Sequence, residues 1–151
     1  MFRGANKVTL DAKGRMAMPA RYRDTLVERS EGRLVVTVDR ADRCLLIYPL
    51  PDWEEIERKL MRLPTLNPQA RRLQRLMVGH ATDLELDSHG RVLVPPKLRE
   101  YAGLSRQAML IGQGSRFELW DEQHWNERRD AWLQAGEEPG ELPAELGQLS
   151  L

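Results

Sequence analysis

A short motif, Asp-x-x-Gly-Arg, occurs twice in this chain and contains the residues best suited to specific chemistry. Its members are Asp11, Gly14 and Arg15 in the first copy, and Asp87, Gly90 and Arg91 in the second. An aspartate can accept hydrogen bonds from the backbone of its own turn, and glycine adopts a positive φ without strain. The planar guanidinium group can then donate two hydrogen bonds to a phosphate or to the edge of a guanine. The motif therefore predicts two tight turns that each present an arginine to an anion or a base.

The motif belongs to a longer internal repeat. Residues 8–24 align without a gap on residues 84–100, with six of 17 positions identical. The repeated block is Leu-Asp-x-x-Gly-Arg-x-x-x-Pro, whereas a third Asp-x-x-x-Arg, formed by Asp39 and Arg43, lacks both the glycine and the proline. We interpret the third occurrence as an ordinary charged turn and the two full blocks as a duplication.

Each block predicts the same order of elements. Alternating apolar residues on both sides of the turn are typical of two short strands, and Pro19 and Pro95 stand at or near the first position of a short helix. A β-hairpin is expected after each helix, the first over residues 34–48 and the second over residues 108–120, with the second turn at residues 112–114. Each half is thus predicted to be β-β-α-β-β.

Further helices are predicted after each hairpin. Asp52, with a glutamate three residues later, is typical of a capping box, and Asn67 followed by proline is typical of a second helix start. The equivalent helix of the second half is expected over residues 122–134. A mobile acidic tail is expected after it, because the last fifteen residues contain four glutamates and no basic residue.

These elements predict an α+β fold, mainly β with helices. A half with four strands and one short helix cannot bury its apolar face alone, so the two halves are expected to intertwine as one closed, pseudo-symmetric barrel. The expected division is a first repeat over residues 1–54, linking helices over 55–80, a second repeat over 81–125, and the end of the last helix with the acidic tail over 126–151.

Charge is unevenly distributed along the chain. The formal net charge is zero, which argues against a protein that coats nucleic acid by bulk attraction. Residues 1–23 nevertheless contain six basic residues against the single acidic residue Asp11. An anion site is therefore expected near the N-terminus, with Arg3, Lys7, Lys13 and Arg15 as its candidate residues.

Other classes of function find less support. Asp11 and Asp87 could form an acid and base pair, but each has an arginine four residues away that favours the ionised carboxylate, and no third catalytic or metal-binding group accompanies them. We therefore predict no enzyme, metal, cofactor or small-molecule substrate. Cys44 is interpreted as a buried thiol, and the four tryptophans as packing or subunit-interface residues. No apolar run is long enough to cross a bilayer, so a cytoplasmic protein is expected.

The repeated blocks and the N-terminus resemble those of a known family. The opening Met-Phe-Arg-Gly, the first block with Pro19, Tyr22 and Arg23, and the second block over residues 86–95 are similar to the MraZ family. The resemblance covers nearly the whole chain except the acidic tail. That family is similar to the AbrB and SpoVT transition-state regulators, which form a barrel from two such halves with swapped hairpins.

The resemblance implies a function as well as a fold. It implies homo-oligomeric rings, association with the nucleoid, and transcriptional control of the division and cell-wall gene cluster. The implied partner is double-stranded DNA with guanine-rich direct repeats in the protein's own promoter. A ring-shaped scaffold that binds only proteins is the alternative that the sequence leaves open.

The family's signature implies roles for individual residues. It falls on Asp11 with Arg15 and on Asp87 with Arg91, and the DNA-contacting loop of the family corresponds to residues 13–15. The resemblance thus implies that the DNA-binding residues are Lys13, Gly14 and Arg15, together with the basic residues Arg3 and Lys7. Asp11 would hold the turn, Arg15 would contact guanine, and Lys13 would contact phosphate.

The second copy differs at two positions that affect charge. His89 replaces Lys13, and Glu85 replaces Thr9, so the second turn is less cationic near neutral pH. We therefore expect the first turn to dominate DNA contact and the second turn to support the barrel or subunit packing.

Overall fold

The structure, a computed structural model, describes residues 1–136. Its strands are β1 (Phe2–Thr9), β2 (Arg15–Ala17), β3 (Arg33–Val38), β4 (Leu45–Pro49), β5 (Thr82–Glu85), β6 (Arg91–Leu93), β7 (Gln107–Gly114) and β8 (Arg116–Asp121). Its helices are α1 (Ala20–Ser30), α2 (Leu50–Met61), α3 (Pro68–Leu73), which continues into a π-helical turn (Gln74–Val78), α4 (Pro96–Tyr101) and α5 (Glu122–Ala135). The expected acidic tail lies outside the described residues.

Strands from both halves build one six-stranded antiparallel sheet in the order β1-β7-β8-β4-β3-β5. The first strand of each half pairs with the hairpin of the other half, β1 with β7 and β5 with β3. The two hairpins meet through β4 and β8. The predicted α+β fold with intertwined halves is therefore confirmed, because each half leaves its first strand in the other half's part of the sheet.

The remaining strands, β2 and β6, form a separate antiparallel ribbon. One end of the ribbon joins β1 through a bridge between Leu10 and Met16. The other end joins the segment after β5, where the Asp87 N–H donates to the Arg91 carbonyl at 2.9 Å. Within residues 1–136 no ladder joins β1 directly to β5. The ribbon and its turns, and not a continuous barrel ladder, connect these two edges.

The apolar core fills both sides of β3 and β4. Every residue of β4 is buried, as is β3 after Arg33; such continuous apolar runs are expected of strands covered on both faces. One face packs against Met16 and Val92 of the ribbon. The other face packs against Trp53 and Leu60 of α2. The ribbon is thus fixed to the sheet by its inner side chains.

Helix starts are partly as predicted. Asn67 caps α3, because its side-chain oxygen accepts the N–H groups of Gln69 and Ala70 at 2.9 and 3.2 Å. The capping role predicted for Asp52 is wrong, since α2 already begins at Leu50. Asp52 instead accepts Nε of Arg29 at 2.8 Å and ties α1 to α2. A proline in the first turn of α2 presets its backbone and moves the helix start earlier than the capping pattern indicates.

The turn predicted at residues 112–114 is displaced. β7 continues through Gly114, and Gly112 lies within the strand opposite Gly4 of β1. A Cβ on Gly112 would lie 2.5 Å from the backbone nitrogen of Arg3. The glycine is therefore needed for the close approach of two strands rather than for a turn.

Cysteine and tryptophan side chains are placed largely as predicted. Cys44 is fully buried, and burial raises the pKa of its thiol well above the usual range. Trp53 and Trp120 are buried in the apolar clusters, whereas Trp132 of α5 stays 43% exposed. None of the helices within residues 1–136 is both long and apolar enough to span a membrane.

Candidate nucleic-acid interface

The first turn, residues 11–14, is organised by the carboxylate of Asp11. Its Oδ1 accepts the backbone N–H groups of Lys13 and Arg15, each at 2.9 Å, and its Oδ2 accepts Nε of Arg15 at 2.7 Å. The Gly14 N–H closes the turn by donating to the Asp11 carbonyl at 2.9 Å. The N–H of Arg15, assisted by its guanidinium group and by the Lys13 N–H, lowers the pKa of Asp11 from 3.8 to about 2. Asp11 is therefore ionised at neutral pH.

The second turn, residues 87–90, repeats these contacts. Oδ1 of Asp87 accepts the N–H groups of His89 and Arg91 at 2.8 and 2.9 Å, and Oδ2 accepts Nε of Arg91 at 2.9 Å. The Arg91 N–H is the main cause of a lowered pKa for Asp87. Both carboxylates thus favour the ionised form that the sequence predicts, and neither is available as a general acid near neutral pH.

Each signature arginine is fixed at one nitrogen and open at the others. Nε of Arg15 and Nε of Arg91 donate to their own aspartates, and the terminal nitrogens of both groups have no hydrogen-bond partner within residues 1–136. About a third of each side chain is exposed. An arginine held in this way presents its remaining donors in a fixed orientation, as bidentate contact with a guanine edge requires.

Each turn is completed by the opposite half of the chain. The Val94 N–H donates to the Gly14 carbonyl and the Met18 N–H donates to the Gly90 carbonyl, both at 2.9 Å. Arg99 of α4 lies over Gly14 and donates from Nε to the Val94 carbonyl at 3.0 Å. A Cβ on Gly14, whose φ is +87°, would lie 2.5 Å from Cζ and Nε of Arg99.

The same arrangement holds Gly90 beneath Arg23 of α1. Nε of Arg23 donates to the Met18 carbonyl at 2.7 Å, and a Cβ on Gly90 would lie 2.6 Å from that nitrogen. Neither Arg23 nor Arg99 is among the site residues that the sequence predicts. The two arginines occupy equivalent positions of the repeat, which was the one sign in the sequence of a shared role. Their contacts with the glycines of the opposite half depend on the tertiary fold and could not be predicted.

The two signature arginines share the outer face of the ribbon. Arg15 pairs with Leu93, and Arg91 pairs with Ala17, while the central pair of the ribbon points inward. Directly opposed residues in an antiparallel pair lie on the same face, and diagonal neighbours have Cα atoms about 7–8 Å apart. Arg15 and Arg91 are diagonal neighbours. The ribbon thus brings together the two arginines that are 76 positions apart in the sequence.

The surroundings of the two turns differ in charge. The charged residues that line the cleft beside the first turn are Asp11, Arg99 and Arg106. Lys13 and Arg15 add two positive charges next to it in the chain. The cleft beside the second turn is lined by Arg23, but also by Glu31 and His89. The first turn is therefore the more cationic of the two, although their hydrogen bonds are equivalent.

The other two predicted DNA-binding residues lie away from the turn. Arg3 is exposed near the start of β1, roughly 25 Å along an extended strand from Asp11. Lys7, also exposed on β1, has its Nζ 3.8 Å from Glu122 of α5. The structure therefore joins Lys13, Gly14 and Arg15 in one place but does not add Arg3 or Lys7 to them.

A separate polar cluster lies beside the buried thiol. Potential ligand atoms of Asp39, Cys44 and Glu118 lie within 4.8 Å of one another. The Cys44 thiol and the Asp42 N–H donate to Oδ2 of Asp39 at 3.7 and 3.1 Å, and the Trp120 indole donates to Glu118 at 3.0 Å. These hydrogen bonds account for the cluster as part of the fold.

Comparisons with known proteins identify related sequences over the whole chain. A family described as "MraZ protein, putative antitoxin-like" matches twice, over residues 1–76 and 77–136. A protein of Halorhodospira halophila is 59% identical over 152 residues, and proteins of Pseudomonas aeruginosa and Thioalkalivibrio sulfidiphilus are each 60% identical over 151 residues. Each alignment covers 100% of both chains, and each relative is named "Transcriptional regulator MraZ". Their names describe regulators rather than enzymes.

Replacement of Gly14 tests the contact with Arg99. We expect Gly14→Ala to lower the free energy of unfolding by about 1 kcal/mol more than Gly103→Ala, because the new methyl group displaces the hydrogen-bonded guanidinium. Gly103 is the matched control, since its φ is +61° and a Cβ there would meet nothing within 4 Å. Denaturant unfolding of both variants measures the difference. The contact is contradicted if the excess cost persists when Arg99 is also replaced by alanine.

Acid titration tests the turn carboxylates. We expect the ¹³C resonance of the Asp11 carboxyl to titrate near pH 2 and that of Asp87 below 3.8. Because the folded pKa lies below the unfolded value, the stabilisation is fully present above about pH 4 and is lost as the pH falls through the folded pKa. Arg15→Ala should raise the Asp11 midpoint without restoring the ordinary value, since the backbone bonds remain. An Asp11 midpoint near 3.8 in the unmodified protein would contradict the described geometry.

Proposed function

This chain belongs to the MraZ family, and we propose that it is a transcriptional regulator that binds double-stranded DNA through the outer face of its β2–β6 ribbon. The observation that carries the proposal is the placement of Arg15 and Arg91 on that one exposed face, each held by an aspartate at Nε. The major groove of B-DNA is about 12 Å wide and admits a two-stranded β-ribbon. The names of the relatives support the regulatory role.

The proposed contacts differ between the two turns. Arg15 donates to O6 and N7 of a guanine, and Lys13 contacts a neighbouring phosphate. Arg91 contributes a weaker contact from the less cationic turn. We assign Arg3 and Lys7 to phosphates farther along the duplex, where they add affinity without sequence selection.

The proposed target and assembly follow from the family resemblance. We propose that the target consists of guanine-rich direct repeats in the protein's own promoter, and that the regulated genes are the division and cell-wall cluster. We also propose a cytoplasmic protein that associates with the nucleoid as a homo-oligomeric ring. Several turns on one ring would engage several repeats and gain affinity through effective concentration.

Alanine variants of the turn residues test the proposed contacts. With DNA from upstream of its own gene, Arg15→Ala is expected to lose about 1–3 kcal/mol of binding free energy and most of the preference over random duplex. Lys13→Ala should weaken both duplexes similarly and reduce the slope of log K against log salt by about one. Fluorescence anisotropy at several salt concentrations measures both effects.

Arg91→Ala is the matched control for these measurements. It removes the same hydrogen bond to an aspartate in an equivalent turn, so loss of turn order affects it as it affects Arg15→Ala. We expect a smaller loss of binding for Arg91→Ala. If the native region is bound no better than random duplex, or if both variants keep the full preference, the proposal fails and the protein-binding scaffold becomes the better account.

The number of repeats tests the proposed ring. Duplexes with one, two and three repeats should bind progressively more tightly to the intact protein, provided that the repeat spacing matches the subunit spacing. Sedimentation velocity on the same samples measures the assembly. A monomer that binds one repeat as tightly as three would contradict the ring.

A further inference from the structure

Leu93 is an exposed apolar residue on the proposed DNA-binding face, at one end of the ribbon. It is 53% exposed in β6 and lies directly opposite Arg15 in the ribbon. Its neighbour Val92 points inward and is 1% exposed. The exposure of Leu93 therefore follows from strand alternation, and its side chain projects from the same face as the two signature arginines.

The position of Leu93 distinguishes it from an ordinary surface leucine. Single exposed apolar residues are common and need no explanation, as for Leu66 between α2 and α3, which is 96% exposed. Leu93 instead lies beside two guanidinium groups whose terminal nitrogens have no hydrogen-bond partner within residues 1–136. The equivalent position of the first half is Ala17, so the two ends of the ribbon face differ in size.

The chemistry of the major groove supplies one apolar partner. Among the four bases, only thymine presents a methyl group there, and the other base edges present hydrogen-bond donors and acceptors with only small C–H groups between them. A leucine side chain that enters the groove beside a guanidinium group would leave donors and acceptors unpaired against any other base edge. Apolar contact with a thymine methyl avoids that cost.

We infer that Leu93 is a specificity residue that packs against the C5-methyl group of a thymine next to the guanine contacted by Arg15. The inference rests on the proposed function, because it requires the ribbon to enter the major groove. Such a contact would fix which end of the ribbon lies toward which end of the DNA site. The Arg15–Leu93 end selects a guanine with a neighbouring thymine, whereas Ala17 at the Arg91 end offers a smaller apolar surface to a methyl group.

Removal of the methyl group from either partner tests the inference. The probe is the duplex from upstream of the gene, prepared with thymidine or with deoxyuridine, which lacks only the C5-methyl group. The unmodified protein is expected to bind the uracil duplex about fourfold more weakly, the value of one buried methyl group. Leu93→Ala should bind the thymine duplex at least fourfold more weakly and should not distinguish the two duplexes.

Two further variants define the outcomes. Leu66→Ala is the control and should keep the thymine preference, and Leu93→Met should retain most of it because its side chain also reaches the methyl group.

If the unmodified protein binds both duplexes equally, or if the effects of Leu93→Ala and uracil are additive, the inference is overturned. If Arg15→Ala still prefers the native region while the thymine effects are absent, the proposed function fails as well. An Arg15-dependent preference without a thymine effect overturns the inference alone.

Discussion

The proposed DNA-binding face depends on hydrogen bonds that each half donates to the other half's turn. The Val94 N–H reaches Gly14 and the Met18 N–H reaches Gly90, and Arg99 and Arg23 cover those glycines. Neither turn has these contacts until the two halves have intertwined. The aspartates then fix the signature arginines before any ligand arrives, so little side-chain entropy remains to be lost on binding. The contacts that join the two halves therefore also hold the proposed binding face in place.

The duplication makes the two turns and the ribbon between them nearly symmetric, whereas side chains that differ between the repeats make the two ends of the ribbon unequal. The two turns have equivalent hydrogen bonds, and their arginines are diagonal neighbours on one ribbon. Differences lie in the side chains around them, since Lys13 corresponds to His89 and Ala17 corresponds to Leu93. A symmetric backbone with unequal side chains suits a direct repeat, which has a direction, better than a palindrome. The backbone arrangement can therefore stay the same while the side-chain contacts differ between the two ends of the ribbon.

Much of the fold could be predicted from the repeat, because turn chemistry and strand alternation are local. The two aspartate turns, the order of elements and the Asn67 cap follow from neighbouring residues. Asp52 shows the limit of such patterns: α2 begins at Leu50, so Asp52 lies inside the helix, and its carboxylate accepts a hydrogen bond from Arg29 of α1. Gly112 similarly resembles a turn residue in sequence but serves the approach of β1.

The candidate site was predicted only where its parts adjoin in sequence. Lys13 and Arg15 share a turn, so local reasoning sufficed. Arg3 precedes them closely in the chain, but an extended strand carries it away from the turn. Arg99 and Leu93 reach the first turn only through pairing between halves, which no local pattern specifies.

The central claim is that the ribbon contacts guanine edges in the major groove through Arg15. The most direct measurement replaces guanine with 7-deazaguanine throughout the duplex, which removes the N7 acceptor and leaves base pairing and the minor groove intact. Because O6 can still accept one hydrogen bond from Arg15, we expect the unmodified protein to bind the 7-deazaguanine duplex more weakly than the ordinary duplex, and Arg15→Ala to lose much less by the same replacement. Undiminished binding of the unmodified protein to the 7-deazaguanine duplex would contradict the central claim.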